Sequence, residues 1–125
     1  MKYQEFLDEI FAKTAIDRKL ELYHIKGFLN AVGNPEKKLN AVHIAGTNGK
    51  GSTAAAVESI LYAHNLKVGL NTSPHLVNYQ ERFRINKKEI LREKIKNLYE
   101  QYRDLHNKYD TTYFEISTSI AFQLF

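Results

Sequence analysis

The 125-residue chain contains no cysteine, which removes disulfides, zinc-thiolate sites, iron–sulfur clusters and cysteine nucleophiles together. No apolar run approaches the roughly 18 residues that a membrane-spanning helix needs, so no membrane partner is expected. The opening residues Met1-Lys2-Tyr3-Gln4-Glu5 carry an acid early and lack the apolar stretch of a signal peptide, which points to the cytoplasm. Internal repeats, low-complexity tracts and interdomain linkers are missing as well. The length leaves room for one domain and little more.

What remains is an ordinary globular composition, 43% apolar and 26% charged, with a formal net charge of +4. The basic excess is uneven. Residues 82–96 hold Arg82, Arg84, Lys87, Lys88, Arg92, Lys94 and Lys96 against Glu89 and Glu93. Such a run is open to an anionic small molecule, a nucleic acid, a membrane surface or a plain solvated helix face.

Apolar spacing predicts a short helix over 3–12 through Phe6 and Ile10, and a second from about Leu20 to Val32. Gly33-Asn34-Pro35 ends the second, because Pro lacks an amide proton and Gly-Asn tolerates left-handed geometry. Residues 40–45 (NAVHIA) read as a buried strand. A glycine-rich turn over 46–51 leads into a helix starting at Ser52 or Thr53, running to about His64 and stopped by Asn65. Residues 67–72 read as a second strand, with a short extended piece at 82–85. Leu91, Ile95, Leu98, Tyr102 and Leu105 predict an amphipathic helix from Lys88 to His106, and Thr111-Thr112 cap a last one from near Tyr113. Strand, glycine turn, helix and strand together open a right-handed parallel βαβ unit. The expected class is α/β, a phosphate-loop-containing, Rossmann-like parallel sheet with flanking helices.

The chemistry concentrates in Ala45-Gly46-Thr47-Asn48-Gly49-Lys50-Gly51-Ser52-Thr53, between the expected strand and helix. Glycines at 46, 49 and 51 let successive amides converge on phosphate oxygens. The helix start adds unpaired amides and the positive end of its dipole. Lys50 supplies a mobile cation, and a hydroxyl from Ser52 or Thr53 can reach phosphate or magnesium. Against the generic GxxxxGK[ST] pattern, Ile44 stands at the first glycine position and Gly51 at the final Ser/Thr position. A plain strand-to-helix turn would have no use for the lysine.

HIAGTNGKGST, residues 43–53, resembles the ATP-binding signature of the folylpolyglutamate synthase and dihydrofolate synthase family, a branch of the Mur ligases. Thr72-Ser73-Pro74-His75-Leu76 followed by Tyr79-Gln80-Glu81-Arg82-Phe83-Arg84-Ile85-Asn86 is similar to its TSPHL…ERFRING segment. Thr112-Tyr113-Phe114-Glu115, with Thr118 and Ala121-Phe122, is similar to its TxFExxTxxAF segment, and Gly33-Asn34-Pro35 is typical of it. The resemblance implies an ATP-dependent ligase that joins L-glutamate to a folate-type carboxylate through an acyl phosphate. Its small-molecule substrates would be ATP, glutamate and a folate or dihydropteroate, with no nucleic acid, in a monomeric enzyme. It implies ATP-phosphate contacts from Gly46, Thr47, Asn48, Gly49, Lys50, Gly51, Ser52 and Thr53, with Lys50 catalytic. It implies a magnesium ion with oxygen ligands from Ser73 and Glu115, and substrate contacts from His75 and Arg82.

The residues alone leave plainer readings beside these. Ser73 suits a Ser-Pro turn, and Glu115 suits a first-turn acid complementing the helix dipole. His75 is open between a ligand, a pterin or carboxylate contact and a loop residue bonded to backbone. Arg82 ranks above Arg84 for an anion, since a guanidinium grips a carboxylate in two places. His24, His64 and His106 carry no motif, and the aromatics read as core and rim rather than a pterin stack, Tyr79 being the one candidate for stacking. A ligase of cell-wall precursors would carry a separate domain before the loop, which only about 40 residues precede here. A glycine-rich EVGLGGRLD-type segment, a further histidine, a carbamylated lysine and a glutamate-binding C-terminal domain, all family features, are not in the sequence. Residues 1–125 are therefore expected to be the N-terminal part of the ATP-binding domain, with negligible ligase activity alone.

Overall fold

The computed structural model describes residues 1–14 and 21–125. Its helices are α1 (Tyr3–Phe11), α2 (Tyr23–Ala31), α3 (Lys50–Ala63), α4 (Arg92–Lys108) and α5 (Tyr113–Leu124). Its strands are β1 (Gly69–Asn71), β2 (Phe83–Ile85) and β3 (Lys88–Glu89). The chain divides into two units, one of Met1–Leu39 with Arg92–Leu124 and one of Asn40–Leu91 with Phe125.

The first unit is helical. Phe6 and Ile10, one turn apart on α1, are fully buried as their spacing predicts. The Lys2 amide donates to the Glu5 carboxylate at 2.7 Å and closes the start of α1. α2 ends where expected, with Gly33 at φ +92° and Asn34 at φ +52°, and Pro35 opens a 3₁₀ turn. Leu20, the expected start of α2, lies outside the described residues. α4 begins later than expected, because residues 86–87 form a tight turn and 88–89 a strand. Leu91 therefore falls off the helix and is 78% exposed, and the buried line on α4 is Ile95, Tyr99 and His106. The α4 stripe is thus one residue round from the expected one. α5 contributes Ile116, Ile120, Ala121 and Leu124 to the same core.

His106, to which the sequence assigned nothing, sits in that core with no exposed surface. Its ring stacks 3.9 Å from Phe28 at 12° and 5.3 Å from Tyr99 at 20°. The Thr111 hydroxyl donates to the His106 carbonyl at 3.3 Å and lies 2.9 Å from Nδ1. With that hydroxyl proton committed, Nδ1 must be the donor, and the imidazole proton belongs there. Nε2 is buried with no hydrogen-bond partner.

In the second unit the sheet is antiparallel, in the order β1-β2-β3. Leu70 faces Arg84 and Asn71 faces Phe83, while Ile85 faces Lys88 across a two-residue turn. That turn needs positive φ at both positions, and Asn86 and Lys87 adopt +50° and +67°. Gly69 lies under the Phe125 ring, where an added Cβ would collide. The expected parallel arrangement is not what the described residues form. Residues 40–45 join no ladder, and Val42 is 68% exposed rather than buried. A parallel strand exists only where a neighbour accepts its backbone hydrogen bonds, and 40–45 have none in this sheet.

Candidate functional site

The loop before α3 takes its shape from two glycines. Gly46 has φ +152°, and Gly49 sits in the left-handed region at φ +75°, ψ +8°, as the N-terminal cap of α3. A Cβ-bearing residue is strained at Gly49 by its φ alone, since nothing crowds the position. The helix starts at Lys50, two residues earlier than expected, which brings Lys50, Gly51 and Ser52 into the first turn, where amides lack intrahelical partners. Thr53 N–H is the first of them to be satisfied, donating to the Gly49 carbonyl at 2.9 Å. All of 46–53 is exposed. Lys50 Nζ donates to the Gly46 carbonyl at 2.6 Å, so the ammonium is held across the mouth of its own loop. An ammonium has three protons, and one bond leaves the others for an anion.

The second cluster follows β1. Ser73 is exposed, and His75 is half-buried. Arg82, only 6% exposed, donates from Nε to His75 Nδ1 at 2.8 Å, which places the imidazole proton on Nε2. Burial first, and the Arg82 charge second, hold the His75 pKa below its ordinary value, against the pull of Glu81. Tyr79 is buried, meeting His75 edge-on at 5.9 Å and Phe83 at 5.4 Å, with the Arg82 guanidinium 5.8 Å above its ring. It is core to this segment, not an open stacking face. Glu81 accepts backbone N–H groups of Leu76, Val77 and Asn78, and these three donors hold its pKa below the usual carboxylate range. The carboxylate thereby ties the 76–78 loop to the turn before β2. Sequence reasoning passed over Glu81; its place beside Arg82 in the ER pair was the available signal.

Glu115 is placed in the helical unit, at the third position of α5. Its Oε2 accepts from Thr112 N at 2.8 Å and Thr112 Oγ1 at 3.1 Å, a capping box. Oε1 takes no part in it. Thr118 Oγ1 donates to the Phe114 carbonyl at 2.9 Å within the same helix.

The basic run of 82–96 is spent on several separate partners. It is divided between the units at Leu91 and Arg92. Arg82 serves His75, and Arg84 grips Glu58 of α3 in a bidentate pair. Lys87 lies 6.0 Å over Tyr62, Arg92 5.6 Å over Tyr3, and Lys96 pairs with Glu93 at 2.9 Å. Among the described residues no helix is long and apolar enough to cross a membrane.

A glycine-shaped loop that follows a non-ladder segment, opens a helix and carries an exposed lysine has the form of a phosphate-binding element. No protein-family model matches the chain. It is 36% identical over 129 aligned residues to a dihydrofolate synthase/folylpolyglutamate synthase of Bacillus subtilis, covering 98% of this chain and 30% of the relative. It is 38% identical over 109 residues to the dihydrofolate synthetase of Saccharomyces cerevisiae, covering 86% of this chain and 26% of that one. A crystal structure of folylpolyglutamate synthase from Thermotoga maritima superposes with TM-score 0.90 at 35% identity, over 98% of this chain and 30% of its own. The bifunctional enzyme of Yersinia pestis, solved with AMPPNP and a manganese ion, gives 0.83 at 30% identity over 99% of this chain and 30% of its own. A folylpolyglutamate synthase complex with AMPPCP and folate gives 0.85 at 30% identity, over 100% and 32%.

The fold is that of part of a Mur-ligase-type domain. The chain belongs to the folylpolyglutamate synthase/dihydrofolate synthase family and matches an N-terminal stretch of it. It spans about a third or less of the length of these relatives.

Proposed function

We propose that the chain provides the nucleotide-phosphate site of an ATP-dependent ligase that joins L-glutamate to a folate-type carboxylate. The observation that carries this reading is the loop over 46–53, with Gly49 left-handed, Lys50 at the mouth and the first-turn amides of α3 exposed. The relatives' names and their complexes with AMPPNP, manganese and folate support it.

In that reaction the substrate carboxylate attacks the γ-phosphate to give an acyl phosphate, and the amine of glutamate then displaces phosphate. The protein's share in the first step is placement and charge neutralisation. The amides of the loop and of Lys50, Gly51 and Ser52 would bind phosphate oxygens. Thr47 and Asn48 shape the turn between the glycines, and a Ser52 or Thr53 hydroxyl adds a donor. Lys50 would leave the Gly46 carbonyl, or share its protons with it, to meet the terminal phosphates.

The donor set also bears on a magnesium ion, which keeps several waters and takes few protein ligands when phosphates are present. No group of three or more His, Asp or Glu side chains that could hold a metal occurs among the described residues. Ser73, with its exposed hydroxyl, and Glu115, with Oε1 outside the capping box, are each proposed as an oxygen donor to such an ion. When bound, the ion would offset charge on the transferred phosphoryl group. Arg82, fixed by His75, is the proposed contact for the carboxylate-bearing substrate, and His75 lies beside it. On this reading residues 1–125 form the N-terminal part of the ATP-binding domain, acting on small molecules in a monomeric cytoplasmic enzyme.

Isothermal titration of the chain with Mg-ATP tests the reading. Binding should weaken at least tenfold in Lys50→Ala. Equal affinity in the variant, or none in the unaltered chain, would refute it.

A further inference from the structure

The carboxylate of Glu58 lies two helical turns beyond the phosphate end of α3, where helical spacing alone places an unremarkable surface acid. It is 2% exposed, the one acidic residue in the core among the described residues. Arg84 on β2 meets it with two nitrogens, Nε donating to Oε2 at 2.9 Å and an Nη to Oε1. Withdrawing a carboxylate from water is costly, and a hydrophobic pair of similar volume commonly serves stability as well or better. The pair is worth retaining where a fixed geometry between two elements matters more than stability.

The elements it joins are those that carry the two clusters. α3 begins at Lys50 with the phosphate loop. Arg84 lies two residues after Arg82, and faces Leu70 on β1, two residues before Thr72 and three before Ser73. Thr72 N–H donates to the Arg82 carbonyl at 3.1 Å, so both ends of the 72–82 segment return to this strand pair. A planar guanidinium held at two points resists both sliding and rotation, which a single contact or a lysine does not.

We propose that the Glu58–Arg84 pair is a positioning strut that transmits the placement of the phosphate-loop helix to the strand pair bearing Ser73, His75 and Arg82. It deepens the proposed function and rests on that reading, since it needs the loop over 46–53 to bind phosphate. Neither residue touches the phosphate or the second substrate. Their part is to make an event at one cluster felt at the other.

The test is an amide-resolved NMR titration of the chain with inorganic tripolyphosphate and no divalent metal, so that no ion bridges the clusters. In the unaltered chain, amides of 46–53 should shift, and those of 79–85 should shift with them. In Glu58→Gln the response at 46–53 should persist while that at 79–85 falls below half. The double variant Glu58→Leu/Arg84→Met replaces the ion pair with a hydrophobic pair of similar volume, so it should fold as well as the unaltered chain and still lack the distant response. Retention of that response in the folded double variant overturns the proposal, as does a distant response never seen in the unaltered chain. Silence at 46–53 in the unaltered chain is instead the failure of the phosphate site itself.

Discussion

In the helical unit Glu9, Tyr99 and Arg103 spend their polar groups on one another, whereas within Asn40–Leu91 the longest polar stretch, 46–53, is left open to solvent. In the helical unit Glu9 accepts from both Arg103 nitrogens and from the Tyr99 hydroxyl, each at 2.7 Å. Burial raises the Glu9 pKa, but those donors outweigh it and leave the value below normal. Burial first, and the same carboxylate second, push the Tyr99 pKa up. In the loop unit the core is small, Val68, Tyr79, Phe83 and Ile90, and Ile60, Leu66, Leu76 and Val77 stand exposed. Its structure is held instead by conformation and hydrogen bonds, in Gly49, in the Glu81 cap and in the Glu58–Arg84 pair. If the proposed site is right, stability and ligand chemistry rest on different residues, and substitutions should separate them.

The largest separation is expected from Phe28→Ala. The ring is fully buried and stacked on His106, so its loss should cost about 3–5 kcal/mol in denaturant unfolding. In the fraction still folded, tripolyphosphate affinity should not change. A matching loss of affinity would break the comparison.

Next comes acid. The folded pKa of His106 is pushed down to about 3, by burial first and Lys13 second, from an ordinary value of 6.5. The unfolded chain takes up this proton below pH 6.5 and the folded chain does not, so stability falls with pH across roughly 6.5 to 3. At pH 4.5 the gap of about 2 pH units corresponds to about 2–3 kcal/mol. His106→Leu should lack that slope in urea melts taken between pH 7 and 4.5. An unchanged slope would assign the acid sensitivity to other groups.

Gly49→Ala should have a smaller effect on folding and a larger one on binding. An alanine at φ +75° costs about 1–2 kcal/mol in this conformation. The loop can avoid that strain by moving its amides, so phosphate affinity should fall at least tenfold while the melting temperature drops by only a few degrees. A lowered melting point with full affinity would mean that the left-handed glycine shapes the fold and not the site.

These contrasts also show which signals a sequence carries. Gly33-Asn34, Asn65 and Thr112 with Glu115 act within one turn of backbone, and each was legible as a helix end. The loop over 46–53 was legible for the same reason, since one short connection into α3 contains all its parts. Glu58 and Arg84 are 26 residues apart and meet because α3 packs on β1 and β1 pairs with β2, which no local pattern announces. His106 was hidden because a histidine in a helix carries no sign that Phe28 and Tyr99 will enclose it. The strand expected at 40–45 had the right residue types, but a strand is a property of two segments. The Lys88 start of α4 failed on local chemistry, as the Asn-Lys turn at 86–87 outweighs the apolar period begun at Leu91.

That turn gives the smallest prediction. Lys87 holds φ +67° with a full side chain, at the second centre of a two-residue hairpin where glycine is usual. Lys87→Gly removes the left-handed strain and loses a cation–π contact of 6.0 Å to Tyr62. Glycine also gives the unfolded chain more freedom, which offsets part of the gain. The balance should be a stabilisation of about 0.5 kcal/mol, read as a slightly higher denaturation midpoint at unchanged slope. Phosphate affinity should stay the same, because the turn lies at the far end of β2 from Arg82. Gly49 and Lys87 share a backbone conformation within one unit, so opposite outcomes at the two positions would locate the ligand chemistry at the first and mere chain reversal at the second.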